Sequence, residues 1–201
     1  MNKVMRELEE NSLKTTKEEN DNLDCLKFQQ VFLRRFQLTD DQDVLEFATD
    51  KKVMKYLTWG GLTKQSQVRS FIQTMYINDP STFAIVHKEE NKCIGVLEVK
   101  RNLEKNCVCL GYLLNSSYWN RGIMTDVVRK VSAYCFETFG LDYIEASHFA
   151  GNFASGRVLT KAGFEIDIRA HQQVKVQEHY LEVVYYSLTR EQYENKKMLG
   201  R

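Results

Sequence analysis

The chain predicts an α+β fold in which helices flank a mixed, mostly antiparallel sheet. Three observations support this prediction. Short apolar runs separated by polar turns predict a central meander of three strands, a long amphipathic segment predicts a helix after a glycine turn, and a strand, a shorter helix and two closing strands follow. The 201 residues fit one domain with tails, and 43% hydrophobic residues suffice for its core.

The polar character of the first segment sets the predicted domain limits. Residues 1–25 are rich in Glu, Lys, Asn and Thr and hold few large apolar side chains, so they cannot bury enough surface to offset the entropy of ordering. We therefore expect a flexible N-terminal extension over 1–25. A folded domain over 26–192 and a C-terminal tail over 193–201 complete the predicted organisation.

The periodicity of the apolar residues predicts the order of elements within the domain. Apolar residues between 28 and 36 indicate a first strand, and two helical segments follow, one capped near Thr39 and one after Thr63. A glycine suited to a C-terminal cap, Gly140, ends the long helix. The remaining predicted elements are strands at 83–86, 93–97 and 108–114, the long helix over 127–139, a strand at 143–146, a helix over 154–162, and strands over 164–175 and 180–188.

Charge and hydropathy exclude several classes of partner. The formal net charge is +1, so no global field attracts nucleic acid or an anionic membrane surface, and recognition of phosphate has to be local. No apolar run approaches the roughly 18 residues needed to span a bilayer, and the first residues lack the apolar centre of a signal peptide. We expect a cytoplasmic protein with neither nucleic-acid nor membrane partners.

Cysteine and histidine spacing predicts no metal site. The five cysteines never form Cys-x-x-Cys, although Cys107 and Cys109 stand two apart on a predicted strand and therefore share a face. The four histidines are scattered over unrelated elements. A metal centre would have to assemble from distant segments, and we expect the cysteine pair to be reduced and packed.

The glycine turn before the long helix predicts an anion-binding site. The turn covers residues 118–125 and contains Gly122 directly before the helix. The first turn of a helix has backbone N–H groups without partners and a partial positive charge, which together bind phosphate.

Three ordered motifs make the chain resemble the GNAT superfamily of acyl-CoA N-acyltransferases, and within it the RimJ/RimL type. They are Gly111–Leu114, then Tyr118–Thr125 with the Trp-Asn-Arg-Gly turn, then Asn152–Phe164, and the resemblance covers roughly residues 26–192. It implies the GNAT fold, with about six to seven strands, splayed strands 4 and 5, and about four helices. It also implies acetyl-CoA as co-substrate.

The resemblance also implies a binding site for CoA. The pantetheine arm would pair with the edge of the fourth strand at Tyr112, Leu113 and Leu114, where backbone N–H groups also polarise the thioester carbonyl. Asn152 would hydrogen-bond the arm. The pyrophosphate would be held by the backbone amides of the turn, with one arginine as charged partner: Asn120, Arg121, Gly122, Ile123, Met124 and Thr125.

The chemistry requires an acid for the departing thiolate and a base route for the amine. Ser155 falls where some RimJ/RimL-type enzymes place a serine near the sulfur, although its position suits a helix cap equally well. Cys109 takes the place of the family's glutamate. Three residues therefore remain as candidate bases that act through water: Glu98, Glu182 and His148. In the alternative interpretation, the two glutamates are solvent-facing strand residues and the histidine is a packed ring.

The missing glutamate bears on the amine acceptor. An α-amine with a pKa near 7.8 is deprotonated at pH 7 for about 1 kcal/mol, whereas a lysine near 10.4 costs about 4.6 kcal/mol. We expect acetyl transfer to a primary amine, with a protein N-terminus as the favoured acceptor and with Tyr56 and Trp59 in the acceptor cleft. Alternatives are a small-molecule or antibiotic acetyltransferase and a non-catalytic acyl-CoA sensor; the chain could be a monomer or a homodimer.

Overall fold

The computed structural model of the protein describes residues 22–57, 62–176 and 179–199. These residues form one seven-stranded sheet with the order β1-β2-β3-β4-β5-β7-β6. The strands are β1 (Val31–Arg34), β2 (Thr82–His87), β3 (Lys92–Asn102), β4 (Cys107–Leu114), β5 (Tyr143–Phe149), β6 (Glu165–Val176) and β7 (His179–Thr189). The predicted mixed, mostly antiparallel sheet is confirmed, and so is the central meander, because β2, β3 and β4 pair in succession.

Helices cover both faces of the sheet. All four predicted helices are present: the two after Thr39 and Thr63, and the two in the second half of the chain. The helix after Thr63 continues as a π-helical turn over Ile72–Tyr76. A four-residue helix and a C-terminal helix were not predicted. The helices are α1 (Asp41–Thr49), α2 (Lys51–Met54), α3 (Gln65–Phe71), α4 (Ile123–Phe139), α5 (Phe153–Ala162) and α6 (Arg190–Met198).

The splay between β4 and β5 is the feature that positions the site. These two strands pair in parallel only from Cys107↔Tyr143 to Leu110↔Ala146. Beyond Leu110, β4 continues for four residues while β5 keeps its pairing with β7 as far as Phe149. The sheet therefore opens into a slot whose one side is the free edge of β4.

Two apolar clusters, one on each face, hold the helices against the sheet. On one face, α4 and α5 pack against the side chains of β4 that include Val108 and Leu110. On the other face, α1 and α3 contribute Phe47 and Val68 to a smaller cluster with β2 and β3. The alternation of side chains along a strand explains this division, since successive residues of β4 point to opposite faces.

Ordered contacts occur at both predicted domain boundaries. Leu23, in the predicted N-terminal extension, is fully buried in the core. At the other end, Thr189 caps α6 by accepting a hydrogen bond from the Gln192 amide, and the Tyr193 ring stacks on Phe136 at 4.9 Å between centroids. Thr189, the last residue of β7, therefore starts a helix that extends into the predicted C-terminal tail. Among the described helices, none has the length and apolar character needed to cross a membrane.

Candidate functional site

A cleft of about 1070 Å³ opens at the slot between β4 and β5. It reaches from the N-terminus of α4 to α2 and is large enough for an extended ligand, since typical small-molecule pockets hold about 300–1,000 Å³. Most residues predicted for the site line it: Tyr56, Tyr112, Leu113, Leu114, Asn120, Gly122, Ile123, Met124, Thr125, His148, Asn152 and Ser155.

The edge of β4 presents main-chain groups to the slot. The Asn115 amide, directly after β4, donates to Ile94 O on β3. Main-chain groups alternate in direction along a strand, so every second residue of β4 points its N–H and C=O towards β3, and the residues between point theirs towards β5. Tyr112 and Leu114 belong to the second set, beyond the last pair with β5. The Leu114 carbonyl accepts a bond of 2.7 Å from Trp119 Nε1, which fixes the loop against the strand end. The outward groups of Tyr112 and the Leu114 amide suit a ligand that pairs as an extra strand.

The N-terminus of α4 is open to the same cleft. Gly122 is its N-cap residue, with φ +79°, and no side chain caps the helix. The amides of Ile123, Met124 and Thr125 therefore lack the usual side-chain acceptor, while the Met124 side chain is buried in the core. Because its side chain is buried, Met124 offers the cleft its main-chain amide. Arg121 points elsewhere: its Nη2 donates to Ser117 O at 2.7 Å.

Four cationic side chains line the cleft, and none of them was predicted from the sequence. They come from α2, the turn that follows it, and α5: Lys52, Lys55, Arg157 and Lys161. Among the described residues that line the cleft, none is Asp or Glu. The cleft is therefore positive although the chain is nearly neutral, and it favours an anionic ligand. Arg157 and Lys161 are four residues apart and therefore share a face of α5, but only the fold brings them into one cleft with the two lysines.

Ser155 contacts Tyr112 across the slot. The Tyr112 hydroxyl lies 2.9 Å from Ser155 Oγ and donates to Ser155 O at 3.1 Å. The side chain that caps α5 is instead Asn152, whose Oδ1 accepts from the Ser155 amide at 3.3 Å. Burial raises the pKa of the Tyr112 phenol, which therefore stays protonated at neutral pH. Two hydroxyl groups thus stand together at the cleft wall.

His148 directs its Nε2 towards Gly156, at the buried end of the site. Its Nδ1 lies 2.9 Å from Phe149 O, which can only accept, so Nδ1 is the donor of this hydrogen bond and Nε2 is the nitrogen that can accept a proton. Within the described chain, Nε2 is buried and has no hydrogen-bond partner. Room for this nitrogen and for the Tyr186 hydroxyl exists because residue 156 is glycine: a Cβ there would lie 2.9 Å from both.

The other predicted base candidates lie away from the cleft. Glu98 packs over Gly111 and forms an ion pair of 3.2 Å with Lys100, and Glu182 is an exposed residue of β7. Neither lines the cleft. Cys109 cannot replace the missing glutamate as a base, because burial, and then the Glu145 carboxylate, raise the pKa of its thiol to about 12.

Of the two residues predicted for the acceptor cleft, Tyr56 lines the cleft and anchors the loop before α5. Its hydroxyl donates to Gly151 O at 2.8 Å. Trp59, the other, lies outside the described residues.

Comparison with known proteins agrees with this architecture. The family described as "Acetyltransferase (GNAT) domain" matches residues 30–165, which is more than half of the chain. The "Uncharacterized N-acetyltransferase p20" of Bacillus licheniformis is 27% identical over 178 residues, covering 85% of this chain and 99% of that protein.

Solved structures show the same fold at low identity. A GNAT-family acetyltransferase from Bacillus anthracis superposes with a TM-score of 0.73 at 22% identity, covering 83% of this chain and 98% of that one. The ribosomal-protein-S5-alanine acetyltransferase from Vibrio fischeri gives 0.67 at 17% identity, covering 83% and 96%. The microcin C7 self-immunity acetyltransferase MccE, solved with acetyl-CoA and AMP, gives 0.70 at 17%, covering 81% and 93%. The chain therefore belongs to the GNAT acetyltransferase family and is an acetyl-CoA-dependent N-acyltransferase.

Proposed function

We propose that this enzyme transfers the acetyl group of acetyl-CoA to a primary amine, and that its acceptor is the α-amine of a protein N-terminus, as in the RimJ/RimL type. The observation that carries the proposal is the cleft itself. It joins an uncapped helix N-terminus, the free edge of β4 and four cations, and it has no carboxylate among its described lining residues.

The cofactor fits the site through its charge and its shape. The pyrophosphate takes the amides at the start of α4, where the macrodipole and unpaired N–H groups favour an anion. The pantetheine arm extends along Tyr112 to Leu114, because this edge offers main-chain partners that β5 does not use. Cations such as Lys52 and Arg157 neutralise the remaining negative charge.

The reaction needs little from the acid and base groups if the acceptor is an α-amine. The neutral nitrogen attacks the thioester carbonyl, the C–N bond forms, the C–S bond breaks and the CoA thiolate leaves. His148 takes the proton from the attacking nitrogen through water, because it is the one predicted base that lines the cleft. The Ser155 hydroxyl, supported by Tyr112, donates to the sulfur as negative charge develops there.

The charge of the cleft distinguishes between acceptor classes. Polyamines and aminoglycosides carry several positive charges and would face Lys52 and Lys55 with no described carboxylate to offset them. A peptide N-terminus carries one amine, and its pKa near 7.8 makes the neutral form accessible at about 1 kcal/mol. The structural likeness to the V. fischeri ribosomal-protein-S5-alanine acetyltransferase supports the same choice.

A panel of amines tests the proposal. CoA release is measured with acetyl-CoA and four acceptors: a peptide with a free N-terminus, the same peptide blocked at its N-terminus but containing lysine, spermidine, and an aminoglycoside. We expect release with the free peptide and a mass increase on its first residue. Turnover of only the polyamine or the aminoglycoside would overturn the acceptor assignment. Tight binding of acetyl-CoA with no turnover of any amine would favour the sensor alternative.

A further inference from the structure

A cluster of sulfur and oxygen atoms lies outside the cleft, where β4 and β5 begin. Cys107 and Cys109 are two residues apart on β4 and share a face, opposite the face that packs on α4. Their register partners on β5 are Tyr143 and Glu145. The four side chains therefore form a square across the parallel pair, and none of them lines the cleft.

Three of these side chains stand close enough to share one ion. The Sγ atoms of Cys107 and Cys109 and a carboxylate oxygen of Glu145 all lie within 4.8 Å of one another. Cys109 Sγ is 2.7 Å from Glu145 Oε1. In a tetrahedral zinc site, bonds of about 2.3 Å to sulfur and 2.0–2.2 Å to oxygen separate the ligands by roughly 3.4–3.8 Å. Movements of about 1 Å, within reach of χ rotations, would produce this geometry.

The chemistry of the cluster favours a soft divalent cation. Two thiols and one carboxylate are a donor set that binds Zn²⁺, whereas Mg²⁺ and Ca²⁺ require oxygen ligands. Cys107 is fully buried, while Cys109 and Glu145 are partly exposed, so solvent can reach the fourth position. A disulfide fits less well, because strand residues two apart have Cα atoms about 6.6 Å apart, near the upper limit for that bond.

We propose that Cys107, Cys109 and Glu145 form a Zn²⁺ site with water as the fourth ligand. Each thiol that binds the ion releases its proton to solvent, which leaves two thiolates and one carboxylate around the cation. The site lies across the first three of the four register pairs that join β4 to β5. A bound ion would therefore clamp the two strands directly before they diverge into the acetyl-CoA slot.

Metal binding by the full-length chain tests this proposal. Purified, metal-free protein is titrated with Zn²⁺ against a chromophoric chelator and with Co²⁺, whose thiolate complexes give a sulfur-to-metal charge-transfer band. We expect one equivalent to bind with that band, and the thermal midpoint to rise by about 5–10 °C at Zn²⁺ near 100 times Kd. Cys25→Ser is the matched control, since it removes an exposed thiol and leaves the cluster intact; it should behave like the wild type.

Two variants decide the ligand assignment. Cys109→Ser should lose the charge-transfer band or shift it, and Glu145→Gln should weaken Zn²⁺ binding at least tenfold while keeping the shape of the side chain. Glu145→Gln gives a decision even if Cys109→Ser fails to fold. Wild-type protein that binds no Zn²⁺ stoichiometrically would overturn the proposal. Binding that persists unchanged in Glu145→Gln and Cys109→Ser would overturn it as well.

Discussion

The replacement Ser155→Ala separates a chemical role of this hydroxyl from a structural one. Its Oγ makes one bond, of 2.9 Å, to the Tyr112 hydroxyl, while the bond from Tyr112 to Ser155 O and the Asn152 cap of α5 do not need the side chain. The replacement should therefore cost only one hydrogen bond, about 1 kcal/mol, or roughly 2–4 °C in Tm. If the hydroxyl donates to the departing thiolate, kcat should fall about 100-fold, or about 2.7 kcal/mol of barrier.

Steady-state release of CoA, followed with a thiol reagent, measures both effects on one preparation. We expect KM for acetyl-CoA to stay within a factor of two, because the edge of β4 and the start of α4 are untouched. Thr160→Ala is the matched control: it removes a hydroxyl from an exposed position of the same helix, away from the cleft, and should leave kcat unchanged. A kcat for Ser155→Ala within twofold of the Thr160→Ala value would refute the proton-donor role.

Three further perturbations test other parts of the structure. Gly156→Ala places a Cβ 2.9 Å from His148 Nε2 and should displace the ring, so kcat should fall at least tenfold. The affinity for acetyl-CoA, measured by calorimetry, should stay within a factor of three of the wild-type value. An unchanged kcat would argue against His148 as the base. Gly122→Ala forces a side chain to φ +79° with no steric contact, so urea unfolding should show a loss of about 1–2 kcal/mol, and no loss would mean that the turn relaxes freely. Burial alone would raise the pKa of Asp79, but hydrogen bonds from Ser81 and Thr82 outweigh it and leave the pKa low. The stability from Asp79 is thus fully present above the unfolded pKa of about 3.9 and lost as the pH falls through the lower folded value. Asp79→Asn should therefore cost about 1.5–3 kcal/mol at pH 7 and progressively less as the pH is lowered below about 3.9 in urea titrations; a cost independent of pH would contradict this.

Local patterns were sufficient to predict most of the elements. The helix after the glycine turn ends at Gly140, which has the left-handed φ of +64° that its place as a C-terminal cap requires. The strands of the central meander appear where apolar runs alternate with polar turns. Element ends were predicted less well. The apolar residues between 28 and 36 indicated one strand, but β1 covers only Val31–Arg34. Phe28 and Phe36 are buried in the core although they lie outside the strand, so their apolar character does not mark its ends. The C-terminal helix was missed, since its face contributes few apolar residues beyond Tyr193.

The site divides in the same way between local and non-local information. The turn containing Gly122 could be predicted because neighbouring residues build it, and the start of α4 requires no distant partner. The cations of the cleft could not be predicted, because Lys52 and Arg157 are separated by half the chain and meet only across the slot. For the same reason the sequence left three base candidates open, while the fold brings only His148 into the cleft.

The sequence by itself determined the family, the order of most strands and helices, and the glycine turn that opens α4. These depend on residues close together in the chain, whose periodicity and turn chemistry act locally. Only the tertiary structure decided that Asn152 rather than Ser155 caps α5, that Ser155 meets Tyr112, and that Glu145 stands beside Cys109. Each of these contacts depends on strand register and on which face a side chain takes, and both are set when β4 pairs with β5 and α5 packs across them.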